Sequence, residues 1–235
     1  MRLSLRSEFI DGARATTPLI IGAIPFGIIF GVVSLAAGMP WWATQAMSAF
    51  VFAGASQFIA AELMAHATPH PFIILTTFIV NLRHALYGAS VAPYLRELSP
   101  GWRALLAFHM TDESYATTIV HYRDEMSGDS SNKHWYFLGS NLAMYCGWQI
   151  DTAAGYWLGN ALGDPRALGF DFVSTIVFIA ILIPQLKSRA ALVAAIVAGA
   201  ISIVAIGLPN RSGLIIAMVC GIVAGMAAEK WNSRS

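Results

Sequence analysis

Charge is what this sequence has least of. Only 11% of its 235 residues are Asp, Glu, Lys or Arg, against about 25% in soluble domains. Basic and acidic residues nearly cancel to a formal net charge of +1. No stretch gathers Lys and Arg into a basic stripe, so nucleic acid is excluded as a partner. Cysteine is almost missing too. Cys146 and Cys220 lie far apart inside apolar stretches, without metal-ligand spacing. That excludes a disulfide framework and gives no metal site, leaving two small buried hydrophobes and no expected cofactor. Long polar linkers are also lacking: the one sizeable polar loop, 123–134, is too short for a second domain, so 1–235 reads as a single unit.

What fills the chain is hydrophobic, at 57% of residues. Apolar runs alternate with short charged clusters, as in helices that span a bilayer. The fold expected is all-α: a polytopic integral membrane protein with about eight transmembrane segments, seven being the alternative count, some of them broken by Gly or Pro. The segments run roughly over 17–38, 41–65, 71–95, 103–122, 135–162, 168–186, 190–207 and 213–228. Ahead of them Arg2, Arg6 and Arg14 alternate with Leu3, Leu5, Phe9 and Ile10, and Glu8 and Asp11 interrupt the run. The pattern predicts a retained cytoplasmic amphipathic lead-in rather than a signal peptide.

With eight crossings, Arg2, Arg6, Arg14, Arg123, Lys133, Lys187, Arg189, Lys230 and Arg234 fall on one side. Arg96, Arg103, Arg166 and Arg211 fall on the other. The positive-inside rule then places both termini in the cytoplasm, and removing the 103–122 crossing would reverse the bias. A faint echo between 57–61 and 177–181 raises a four-plus-four or interleaved repeat.

An ionisable group at mid-membrane costs about 2.5–3.5 kcal/mol on insertion scales, so such groups mark candidate sites. The third segment carries Asn81-Leu82-Arg83-His84-Ala85-Leu86-Tyr87 near its centre. Thr77, Asn81, His84 and Gly88 make one helical stripe, and Arg83, Tyr87, Ser90 and Tyr94 an adjacent one. Two readings are open for Arg83: a structural guanidinium held by carbonyls and an acid, or part of a carboxylate-binding or proton-carrying cluster with His84. The fourth segment holds His109, Asp112, Glu113 and Tyr115, with His109 and Glu113 placed to share a helical face. If it crosses, its two acids must pair with Arg83 or hold a proton; if it lies at the interface they are merely solvated. In the second segment, Phe52-Ala53-Gly54-Ala55-Ser56-Gln57-Phe58 permits either close packing or local unwinding that offers backbone ligands. In the first, Pro25 within Pro25-Phe26-Gly27 and Gly31 is a weak point of the same kind. The fifth puts Asn141, Tyr145, Trp148, Thr152, Gly155 and Gly159 on one stripe with Asp151 at its edge, and Asp151 reads equally as a site or an interfacial residue. Asp171 reads as a cap or water-facing residue.

These stretches, in this order and spacing along nearly the whole chain, resemble the AzlC-type large subunit of bacterial branched-chain amino-acid exporters. The residues carrying the resemblance are Pro25-Phe26-Gly27 with Gly31, the run from Phe52 to Phe58, Asn81 to Tyr87 followed by Ser90 and Pro93, and Asp112-Glu113-Ser114-Tyr115-Ala116. Phe178 to Leu182 with Pro184 is a weaker late match. The resemblance implies outward transport of leucine, isoleucine and valine, with methionine as a further candidate, driven by the proton gradient. It also implies a small hydrophobic AzlD-type partner subunit in the bacterial cytoplasmic membrane. From side-chain chemistry and burial cost, the candidate translocation residues are Phe52, Ser56, Gln57, Asn81, Arg83, His84, Tyr87, Asp112, Glu113, Tyr145 and Asp151. No enzyme activity is expected. The rival readings are an intramembrane hydrolase, from the Gly54-Ala55-Ser56 piece with His84, and a passive channel or scaffold subunit.

Overall fold

The computed structural model describes residues 4–124, 132–161, 179, 182–183, 186–208 and 212–232. Among these, every regular element is helical. The expected sixth segment, Asp171, the later half of the echoed repeat and the late family-like stretch fall wholly or largely outside the described residues.

The molecule is organised around two long helices, α1 (Leu5–Ala36) and α8 (Lys133–Ala161). At about 1.5 Å per residue they measure about 48 and 43 Å, longer than a hydrocarbon core of about 30 Å. Glycine brings them together: a Cβ at Gly12, Gly31, Gly139 or Gly155 would collide with a backbone carbonyl of the opposite helix. Where lipid removes the hydrophobic driving force between helices, such backbone approach is what dispersion forces need. Thr16 and Ser140 hydroxyls meet across the same interface at 2.6 Å. Gly12 faces Tyr136, Ile20 faces Gly147 and Val32 faces Gly159, so positions climb together and the helices run parallel. The chain between them must therefore return across the layer, with an odd number of net crossings.

Three segments lie between them, each built from two pieces, and only the second makes the return. The first runs from Tyr156 down to Tyr145 and turns back to Phe30, and the third rises from Trp135 to Tyr145 and returns to Tyr136. The crossings expected at 41–65 and 103–122 are therefore not made. The first is α2 (Trp41–Phe50) and α3 (Gly54–Ala65). The second is α4 (His70–Asn81) and α5 (Arg83–Val91), continued by a 3-10 turn at Ala92–Leu95. The third is α6 (Pro100–Phe108) and α7 (Asp112–Asp124). A final pair, α9 (Arg189–Val204) and α10 (Ser212–Asn232), forms an antiparallel hairpin in which Gly221 and Gly225 abut Ala198 and Ala194. Three described helices, Leu5–Ala36, His70–Leu95 and Ser212–Trp231, are each long and apolar enough to span a membrane. Large apolar side chains such as Ile74, Phe78, Leu86 and Ile196 face outward, where lipid would cover them.

Several expectations change. The lead-in is not separate from the first span: α1 is continuous from Leu5, with Glu8 only 1% exposed. Pro18 and Pro25 both sit inside α1 without ending it. The segments expected at 41–65, 71–95 and 103–122 are each interrupted, and the interruptions fall at Phe52, Leu82 and His109–Thr111 rather than at proline. The third leaves His109 in the interruption, just past α6, and puts Glu113 on α7, so they share no helical face. Cys146 is exposed and Cys220 half-buried, because α8 and α10 turn those faces outward instead of inward.

Candidate functional site

All three interruptions open onto one cavity of about 410 Å³, within the size range of small-molecule sites. Phe52, Ala53, Gly54 and Ala55 line it from the first break, Arg83 and His84 from the second, and Thr111, Asp112 and Glu113 from the third. Pro18, Gly22 and Phe26, one turn apart on α1, form one wall, and Met144 and Trp148 on α8 form another.

At the first break the chain turns sharply, with Phe52 at φ +42, a left-handed conformation that L side chains adopt at a cost of roughly 1–2 kcal/mol. Burial holds it there: Phe52 is 5% exposed, and its ring meets Tyr145 edge-on at 4.9 Å. The α3 helix then starts with Ala53 as N-cap and no side chain capping it. Its first N–H groups lack intrahelical acceptors, and Ala53, Gly54 and Ala55, which bear three of them, line the cavity. Trp148 roofs this end, its ring 3.2 Å from where a Gly54 Cβ would stand. The Trp148 Nε1–H donates to Gln57 Oε1 at 3.0 Å, which satisfies a polar atom buried among apolar rings.

At the third break the opposite arrangement holds. Thr111 and Ser114 cap α7 reciprocally: the Ser114 hydroxyl accepts from the Thr111 N–H at 2.9 Å, and the Thr111 hydroxyl accepts from the Ser114 N–H at 3.4 Å. The first turn of α7 carries Asp112 and Glu113, the charge sign favoured at a helix N-terminus. Arg83 Nη1 and Asp112 Oδ2 form an ion pair of 2.7 Å, with both side chains about a third exposed or less. The other carboxylate oxygen, Asp112 Oδ1, is buried without a hydrogen-bond partner among the described residues, as is Arg83 Nε. One face of the pair is thus unspent.

The remaining candidates stand behind this lining. Asn81 Oδ1 accepts from the Ser56 hydroxyl, and the Asn81 carbonyl meets His84 Nδ1 at 3.2 Å. Among the described residues Ser56 and His84 each pair with Asn81, and no bond joins the two side chains. Tyr87 stacks on Tyr115 at 4.5 Å, and Tyr115 donates to Ser90 at 2.9 Å. The Tyr145 hydroxyl donates to the Ala49 carbonyl at 3.3 Å, and its ring also meets His109 at 5.0 Å. Asp151 is apart from the cluster, packed on Gly27 of α1 and absent from the cavity lining. Pro18, Gly22, Phe26, Thr111 and Met144 line the cavity without a charge to mark them in the sequence, and the four-residue spacing of the α1 trio is the one signal there.

The fold and the site together define a polytopic helical membrane protein with a largely apolar cavity, charged on one side, at the meeting point of interrupted helices. The family match follows from sequence: residues 18–162 fit the AzlC protein family, and the chain belongs to it. Inner membrane protein YgaZ of Escherichia coli K12 is 25% identical over 96% of this chain and 93% of the relative. A membrane protein of Archaeoglobus fulgidus is 28% identical over 98% of both chains. The Branched-chain amino acid transport protein AzlC of Bacillus subtilis is 29% identical over 78% of this chain and 70% of that protein. No solved structure matches the chain.

Proposed function

We propose that the chain is the large subunit of a secondary transporter exporting branched-chain amino acids across the bacterial cytoplasmic membrane in exchange for protons, with both termini cytoplasmic. The observation that carries this reading is the pairing, in one cavity, of a bare helix N-terminus with a carboxylate whose second oxygen is unpartnered. A zwitterion needs both. Its carboxylate lies against the Gly54 and Ala55 N–H groups, where the helix dipole and free donors favour an anion. Its ammonium meets Asp112 Oδ1, while Oδ2 stays with Arg83. The aliphatic side chain goes to the apolar wall of Phe26, Phe58, Met144 and Trp148. Such a wall separates leucine from alanine, but one methylene is worth only about 1–3 kcal/mol, so leucine, isoleucine, valine and methionine overlap as substrates.

Proton exchange follows from the same carboxylates. Protonating Asp112 or Glu113 removes the charge that holds the ammonium, so substrate and proton compete for one acid, and His84 at the cavity wall is a further carrier. A small hydrophobic partner subunit completes the transporter. The name of the Bacillus subtilis relative supports the substrate class.

The test is counterflow of labelled leucine in proteoliposomes, with and without a small hydrophobic AzlD-type protein. Transient accumulation of label above equilibrium, competed by isoleucine and valine, is expected. Equilibration without overshoot would mean a passive channel, and no leucine movement with or without the partner would overturn the reading.

A further inference from the structure

The geometry points to a second proton-binding site, the buried Glu8–His121 pair, joined to the cavity by a polar seam along α7. This rests on the proton-coupled reading for its role, though not for its existence. Glu8 lies on the first turns of α1 and is 1% exposed, an expensive place for a carboxylate unless a partner or a proton accompanies it. Its Oε2 stands 3.7 Å from His121 Nε2. The His121 ring stacks flat on Tyr136 of α8, centroids 3.7 Å apart and planes within 7°. An acid and an imidazole at this separation can hold a proton between them, on either group.

The pair is linked to the cavity by its place on α7. Thr111, Ser114, Thr118 and His121 recur at spacings of three and four, which puts them on one helical stripe. Ser114 and Thr118 are fully buried. The stripe begins at the cap whose next residues are Asp112 and Glu113, and reaches His121 about 15 Å further along the helix. Thr118 Oγ1, midway, is buried without a hydrogen-bond partner among the described residues, a place suited to a bridging water. Glu8 of α1 and Tyr136 of α8 meet the His121 end of the stripe, and one or two turns further along the same two helices Thr16 and Ser140 are bonded to each other at 2.6 Å. This end of α1 lies beyond the apolar run that starts near Thr17, where a proton can arrive from water.

Other charges around the pair are turned away or occupied. Arg6, Asp11 and Arg14 of α1 and Arg123 of α7 are exposed. The Lys133 ammonium of α8 sits 5.8 Å over the Tyr94 and Tyr122 rings, and the Tyr122 hydroxyl donates to the Lys133 carbonyl. His134 packs edge-on against Trp102 at 4.9 Å.

Two measurements on the full-length protein in lipid test the site. Infrared titration should show a protonated-carboxyl band that disappears in Glu8→Gln and shifts in His121→Asn. That readout needs no transport, so it stands even if leucine is not the substrate. In proteoliposomes, Glu8→Gln and the isosteric Thr118→Val should lower pH-gradient-driven leucine accumulation at least tenfold while leucine–leucine exchange stays within twofold. Thr118→Val covers the case in which Glu8→Gln does not fold. Wild-type accumulation in Thr118→Val, equal loss of exchange and driven transport, or an infrared band unchanged in folded Glu8→Gln would each overturn the proposal. Wild-type protein that binds the proton but moves no leucine would sink the transporter reading instead.

Discussion

Two interruptions face each other across the cavity, and they end their helices in opposite ways. At the α6–α7 break, Thr111 and Ser114 satisfy the helix start, and the protein places its own carboxylates on the first turn. At the α2–α3 break the helix starts on Ala53 with no cap and no charge, and Phe52 is held in a left-handed conformation to make the turn. An uncapped N-terminus normally forfeits about 1 kcal/mol against Ser, Thr, Asp or Asn. On the proposed reading, capping is withheld where the substrate supplies it. One break carries a fixed anion for a cation to meet, and the other leaves donors for an anion to meet.

The sharpest way to break this comparison is to make α3 resemble α7. Ala53→Asp gives α3 a carboxylate cap, which should raise the melting temperature in the absence of substrate by the equivalent of about 1 kcal/mol. The same carboxylate occupies the donors proposed for the substrate, so leucine transport should vanish and added leucine should no longer stabilise the protein. Stabilisation with normal transport would show that the bare N-terminus has no ligand.

The next largest effect lies at the opposite break. Removing one side of the Arg83–Asp112 pair leaves the other charge half-buried and alone. Because both side chains are about a third exposed, solvent screening limits the stability loss to about 1–2 kcal/mol. Substrate affinity should fall more, about 2 kcal/mol or roughly thirtyfold, for Asp112→Asn, since the variant also loses the acceptor offered to the ammonium. Isothermal titration or transport KM beside melting curves separates the two. Equal losses in affinity and stability would make the pair a structural tie and nothing else.

The membrane class and the helical architecture were legible because apolar runs have no other inexpensive solution in lipid. Arg83 and Asp112 were legible for the complementary reason: a charge in such a run is costly enough to demand a partner. The first break was legible only as the Phe52–Phe58 stretch open to packing or unwinding, and the breaks at Leu82 and His109–Thr111 were not legible. Phe52 is an aromatic residue with no local reason to adopt a positive φ, and only its packing on Tyr145 explains it. Glu8 looked like one of several charges on a water-facing lead-in, and its burial depends on α7 and α8, far away in sequence. The stripe on α8 was visible, and Asn141, Trp148, Thr152, Gly155 and Gly159 do face inward. Trp148 as the roof of the cavity was not visible, since a stripe says which way residues point and not what they meet.

Trp148→Phe tests that roof with a smaller effect. It removes the indole N–H, leaves Gln57 Oε1 without its donor and enlarges the apolar end of the cavity. The unpaired oxygen should cost about 1–3 kcal/mol of stability. Competition assays should show a few-fold shift toward the larger substrates, methionine over valine, corresponding to about 1 kcal/mol. Unchanged ranking would place substrate specificity elsewhere.

The smallest effect is expected at Ala67, the exposed one of the two left-handed residues that flank α3. At the C-terminal end Ala67 stands at φ +51, with the Ala67 N–H donating to the Met64 carbonyl and the Thr68 N–H to the Leu63 carbonyl, a Schellman closure in which glycine is the favoured residue. Ala67 is exposed, so Ala67→Gly should relieve the strain, stabilise by about 1 kcal/mol and leave transport unchanged. Phe52→Gly relieves the same kind of backbone strain but strips a buried ring, at a cost of about 3–5 kcal/mol, and loosens the break that presents the α3 donors. Melting curves and counterflow on both variants form a matched pair. If strain at Phe52 serves the cavity, only the Phe52 variant loses transport; if both variants transport alike after correction for folded fraction, the left-handed turn is a packing accident, and the contrast between the two breaks reduces to their charges.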